Sequence, residues 1–144
     1  MKNIGIVGVG GFARVILNSI LRIEEEGLAR LVGAVIRNPA KYPEAVERLQ
    51  REGRSIYVSL ADMLNRAELD LVALPVGVPS HRDLAIQVLE AGHDVVLEKP
   101  VAATVQEVDD IVSAEERTGH LCAIGYQHIH TPAIQTLREE IERG

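Results

Sequence analysis

The sequence has no tryptophan, one phenylalanine, three tyrosines and a single cysteine. Any core must therefore be aliphatic, and a hydrophobic content of 47% supplies the material for one. Cys122 has no second cysteine to pair with, so a disulfide framework is excluded; in the apolar run Leu121 to Ile124 it reads as a reduced, buried thiol. Long apolar runs are missing too. None approaches the roughly 18 residues of a membrane span, and the N-terminus lacks the charged-then-apolar pattern of a signal peptide, so the expected compartment is the cytoplasm. Positive charge is short: 15 Lys and Arg against 21 Asp and Glu leave a net charge of −6, which argues against nucleic acid and anionic membranes as partners. Ligand clusters are lacking as well. His128-Ile-His130 brings two imidazoles together with no third ligand at a suitable spacing, so no metal is expected and the pair reads as the lining of a substrate mouth.

What is present is a regular alternation of strand and helix signals over 144 residues, about one domain, with no repeat and no internal linker. It begins with an apolar strand, Ile4 to Val7, that breaks into Gly8-Val9-Gly10-Gly11-Phe12-Ala13. This is the G-x-G-x-x-G/A pattern with Ala13 in the third small position. Gly8 permits the tight turn, Gly10 lets backbone approach a pyrophosphate, and Ala13 lets the following helix pack closely on the strand. The unpaired N–H groups and positive dipole end of that helix suit a pyrophosphate.

The rest of the chain is read in the same way. Helical spacing runs from Ala13 to about Glu26, Leu31 to Ile36 is a second strand, and a helix is expected over 40–51 after Pro39. Ser55 to Val58 is a short strand, and Ser59-x-x-Asp62 opens a short helix. Leu69 to Leu74 is the fourth strand, followed by a helix with Leu84, Ala85, Val88 and Leu89 on one face, closed by Gly92. Asp94 to Leu97 is the fifth strand. Thr104-x-x-Glu107 is a capping box opening a helix with the expected apolar face Val105, Val108, Ile111 and Val112, closed by Gly119. Leu121 to Ile124 is the sixth strand, and Thr131-Pro132 starts a last helix through Ile134, Leu137 and Ile141. Six strands with intervening helices imply an α/β, doubly wound parallel sheet of the Rossmann type, in the order 3-2-1-4-5-6, with β6 on an edge open to self-association. In such a sheet ligands lie across the carboxyl ends of the strands, where residues 75–81, 98–100 and 125–130 also project.

Glu98-Lys99-Pro100 stands directly after the fifth strand, within Val95-Val-Leu-Glu-Lys-Pro-Val-Ala-Ala-Thr104 and behind Leu89-Glu-Ala-Gly92. Together with the glycine pattern, the stretch Asp70 to His81 and the turn Ala123-Ile-Gly-Tyr-Gln127, this resembles the glucose–fructose oxidoreductase/inositol dehydrogenase (Gfo/Idh/MocA) family along the whole chain. The resemblance implies the cofactor-binding domain, residues 1–144, of an NAD(P)-dependent oxidoreductase acting on a sugar, cyclitol or related alcohol or carbonyl compound. It also implies a second, C-terminal α/β domain, absent from these residues, that supplies most of the substrate site and the oligomer interface. By position, Gly8, Gly10 and Ala13, with Gly11 between them, match the pyrophosphate loop, and Phe12 covers it. Glu98 and Lys99 match the motif beside the nicotinamide, with Lys99 the catalytic residue that assists proton movement and Glu98 placed to hold it. His81 matches a histidine bordering the cofactor crevice, and Gln127 a polar position near the nicotinamide amide. Two positions depart: Val76-Gly77 replaces the usual Thr-Pro or Thr-Asn, and Ile36 stands where an acidic residue often ends the second strand.

That second departure bears on the cofactor. A carboxylate at the end of strand two accepts hydrogen bonds from the adenosine ribose and repels a 2′-phosphate. Here Ile36 is followed by Arg37 and Asn38, with Lys41 close behind, which favours NADP, with NAD as the alternative. A non-catalytic dinucleotide sensor of the same fold is the competing function, and Glu98-Lys99 favours the enzyme. A methyltransferase or nucleotide-sugar epimerase fits the glycine pattern but leaves the Glu-Lys-Pro loop unexplained.

Overall fold

The computed structural model describes all 144 residues. In chain order the elements are β1 (Lys2–Val7), α1 (Ala13–Glu25), β2 (Ala29–Val35), α2 (Pro43–Arg51), β3 (Ser55–Tyr57) and α3 (Leu60–Arg66). Then follow β4 (Leu71–Leu74), α4 (His81–Glu90), β5 (Asp94–Leu97), α5 (Val105–Thr118), β6 (Cys122–Ile124) and α6 (Pro132–Arg143). The strands form one sheet in the order β3-β2-β1-β4-β5-β6, every pair parallel, which is the doubly wound order the sequence implies.

Alternate side chains of the central strands feed two cores. On one face Ile4, Ile6, Leu31, Ala34 and Ala73 pack with Leu17 and Ile20 of α1 and Leu49 of α2. On the other, Val35, Val72, Leu74, Val95 and Leu97 pack with Met63 of α3, Ala85, Val88 and Leu89 of α4, and Ile111 and Ala114 of α5. Nearly all of this is aliphatic, as a chain without tryptophan requires. At the amino end of the sheet the Asp70 carboxylate accepts the Asn3 N–H (2.7 Å) and the Lys2 ammonium (3.0 Å). These two donors, the backbone one first, hold its carboxyl below the usual carboxylate range. With Asp70 tied to β1 in this way, β4 begins at Leu71, two residues later than its apolar run suggests.

Three expectations need correction. The helix over 40–51 is broken: residues 39–41 form a 3₁₀ turn and α2 starts at Pro43. Proline pushes its predecessor out of the helical region, and Tyr42 sits at φ −134°, ψ 53°. In α5 the capping box forms as expected, but Val105 and Val112 are exposed and Ile111 and Ala114 are buried. The buried stripe is the one that meets α4, and the small Ala114 allows the close approach. Cys122 is half-buried, with its thiol pushed up to about 11 by burial and then by the Glu115 charge. The last helix forms as expected, and α6 buries none of its residues, so Ile134, Leu137 and Ile141 face outward.

Candidate functional site

Because all strands are parallel, the loops after β1, β2, β4, β5 and β6 leave the same edge of the sheet. Successive connections leave β1 and β4 toward opposite faces, and a cleft opens between their loops. It has a volume of about 870 Å³ and is lined by the glycine turn, the end of β2 and the loop after β4. Gly8 adopts φ +98°, which a residue with a Cβ resists, and its N–H donates to the Val35 carbonyl, locking the turn to β2 (2.9 Å). The N–H groups of Gly11 and Phe12 make no backbone hydrogen bond, so the start of α1 keeps free donors beside the cleft. Ala13 is buried under them, and a Cβ on Gly8 would touch its methyl at 3.5 Å, the close packing the third small position requires.

Of the residues singled out in the sequence, Gly8, Gly10, Ala13, Arg37 and Asn38 line this cleft together with Lys41. Gly11 lines an adjoining hollow of about 420 Å³ with Arg14, Lys41 and Tyr42. Phe12 is half exposed as the residue before α1. Arg37 and Lys41 take part in none of the chain's ion pairs. Asp83 is the one carboxylate at the cleft, and Arg82 already holds it at 2.7 Å. The end of β2 is thus a basic rim. Ile36 lines the cleft yet is only 2% exposed and belongs to the core.

The second group of residues lies across β4. Lys99 is exposed and is joined to Pro100 by a cis peptide bond. Glu98 does not hold it: no ion pair joins them, and the Glu98 carboxylate lies against Gly125, where a Cβ would come within 3.2 Å of its oxygen. Neighbouring residues leaving a strand point to opposite sides, which separates the two charges. Gly125 is drawn there by its own N–H, which donates to the Leu97 carbonyl at 2.8 Å. Gln127 opens the exposed 3₁₀ turn that follows, 127–130.

His81 requires correction. It does not face the crevice but is fully buried at the start of α4. Its Nδ1 lies 3.0 Å from the Pro100 carbonyl and 3.1 Å from that of Val101, and its Nε2 lies 3.0 Å from the Val76 carbonyl. The ring therefore ties the loop after β4 to the segment that follows Lys99. Ser80, in the projecting loop 75–81, lines the cleft too, and sequence reasoning overlooked Tyr42, Ser59 and Gln87, which also line it. They arrive by the packing of separate segments.

A doubly wound parallel sheet with a glycine turn and an open cleft at the strand-order switch defines a dinucleotide-binding domain. Comparison with known families makes this specific. The chain belongs to the Gfo/Idh/MocA oxidoreductase family with an NAD-binding Rossmann fold, whose model matches residues 2–126. It is 25% identical over 143 residues to the inositol 2-dehydrogenase of Serratia proteamaculans, covering 99% of this chain and 42% of that protein. It is 27% identical to the rhizopine catabolism protein MocA of Rhizobium meliloti, covering 98% of this chain and 42% of that one. Among solved structures it resembles the WlbA dehydrogenase from Bordetella pertussis in complex with NADH and UDP-GlcNAcA, with 30% identity and a TM-score of 0.85 over 99% of this chain and 42% of that one. The chain thus spans about two fifths of the length of these relatives. No helix is long and apolar enough to cross a membrane.

Proposed function

We propose that this chain is the cofactor half of an oxidoreductase that oxidises or reduces a sugar, cyclitol or related compound, and that its cofactor is NADP in preference to NAD. Relatives named as inositol dehydrogenases and a relative solved with NADH and a UDP-sugar support the substrate class. When bound, the nicotinamide ring would supply the hydride chemistry. Gly8, Gly10, Gly11, Phe12 and Ala13 would hold the pyrophosphate, Arg37 and Asn38 the adenosine end, and Lys99, with Glu98 and Gln127 in neighbouring loops, would stand at the nicotinamide end. There Lys99 moves a proton to or from the reacting oxygen. A second, C-terminal domain is proposed to complete the substrate site. The cytoplasm suits both a free thiol and a soluble cofactor pool, and the open β6 edge is proposed to let this chain self-associate.

The observation behind the cofactor preference is the basic rim at the end of β2, where Ile36 supplies no carboxylate and Arg37 and Lys41 have no ion-pair partner. A guanidinium grips a phosphate through two charge-assisted hydrogen bonds, contributing about 1.5–3 kcal/mol, or roughly ten- to a hundredfold in affinity. Fluorescence titration with NADPH and NADH tests this. NADPH should bind more tightly, and Arg37→Ala should remove most of the difference. Arg37 is the position to change, because Ile36→Asp would bury a carboxylate in the core. Tighter binding of NADH by the unmodified chain overturns the preference.

A further inference from the structure

Tyr42 occupies a position that neither the glycine pattern nor the family resemblance assigns. A Cβ added to Gly10 would meet the Tyr42 hydroxyl oxygen at 2.5 Å, Cε1 at 2.6 Å and Cζ at 2.7 Å. The phenol therefore lies directly on the bare Cα of Gly10, and its ring borders both the large cleft and the adjoining hollow. The residue is well fixed there. Its N–H donates to the Pro39 carbonyl, its carbonyl accepts the Val46 N–H, each at 3.0 Å, and Pro43 restricts its backbone. The Lys41 ammonium lies 5.6 Å from the ring centroid. None of the side-chain hydrogen bonds of the chain uses the Tyr42 hydroxyl.

We infer that Tyr42 is a cofactor-binding residue whose hydroxyl donates to the adenosine-side phosphate of the dinucleotide. This rests on the dinucleotide reading above. A ligand with its adenosine at Arg37 and Asn38 and its pyrophosphate at the glycine turn would lie along a cleft that Gly10, Arg37, Asn38 and Tyr42 line together. Its phosphate then passes along the edge of the phenol, next to an O–H with no other acceptor and near the Lys41 charge. A neutral donor suits the place, because it adds a directed hydrogen bond to a phosphate that the helix dipole already favours. The absence of a Cβ on Gly10 is what lets the ring lie there, because a methyl would meet the phenol.

The test compares this chain with its Tyr42→Phe variant, which keeps the ring over Gly10 and removes only the hydroxyl. Affinities are measured for ADP-ribose, which carries the pyrophosphate without nicotinamide or 2′-phosphate, and for adenosine, which has no phosphate, by competition against NADPH fluorescence. ADP-ribose and NADPH should each bind roughly tenfold more weakly to the variant, the low end for a hydrogen bond to a charged group. The affinity for adenosine should stay the same. Unchanged ADP-ribose affinity overturns the inference, as does an equal loss for adenosine, which would mark a packing effect. An unmodified chain that binds neither ADP-ribose nor either dinucleotide overturns instead the dinucleotide reading itself.

Discussion

Lys99 and His81 lie on the two sides of one short stretch of backbone and have opposite surroundings. His81 is fully buried and takes the Pro100, Val101 and Val76 carbonyls around its ring. Lys99 is exposed and free of any ion pair. The buried ring holds the loop, and the loop holds out the amine. That arrangement suits a residue which must exchange a proton and not merely neutralise a neighbour. In a chain carrying the proposed C-terminal domain, Lys99→Met should lower kcat by roughly a hundredfold, the scale of a positioned acid–base group. As an exposed site, it should change stability by no more than about 0.5 kcal/mol and leave dinucleotide affinity near normal. Steady-state kinetics with an inositol or sugar substrate, beside a thermal melt, measure both. A near-normal kcat would reduce Lys99 to a surface charge.

Among the elements, the best-determined ends are those whose signal is local. Glu107 donates its N–H to the Thr104 hydroxyl (3.2 Å) and its carboxylate accepts the N–H groups of Ala103 (2.8 Å) and Thr104 (3.2 Å). Thr104→Ala removes one arm of this box and should cost about 1 kcal/mol. For a domain of this size that is about 2–4 °C in Tm, measurable by calorimetry, and an unchanged Tm would mean that α5 is held by Ile111 and Ala114 alone. Caps, closing glycines and the strand order were legible because each depends on a few neighbouring residues or on a general rule of connection. The glycine turn and the basic rim were legible for the same reason, as short stretches at known strand ends. The buried side of α5 was not, because two stripes of that helix are apolar enough to be buried and only the position of α4 selects one. Tyr42 was not legible either. Its place over Gly10 joins residues from separate loops, and the break at Pro43 that aims it was hidden inside an apparently continuous helical pattern.

For the whole molecule, the two ends of the sheet are unlike. Near β3 the Arg54–Glu24 ion pair, 2.7 Å long and mostly buried, ties the chain to α1. At the other end β6 pairs only with β5, and Leu121 before it is 60% exposed. The last helix adds to this surface, since Ile134, Leu137 and Ile141 repeat at helical spacing along an outward face. Unpaired strand N–H and C=O groups next to exposed apolar side chains favour pairing with a second copy. The net charge of −6 opposes this only at long range, and screening by ordinary salt limits it to about 8–10 Å. This chain should therefore form dimers or larger species as its concentration rises. Sedimentation from about 5 to about 500 µM should show the weight-average mass climbing, as mass action requires. Substituting Ile134→Glu together with Leu137→Glu, both on the exposed face of α6, should return the chain to a monomer with its melting temperature little changed. A single monomeric species across the whole range would show that neither the edge strand nor α6 attracts a copy of itself.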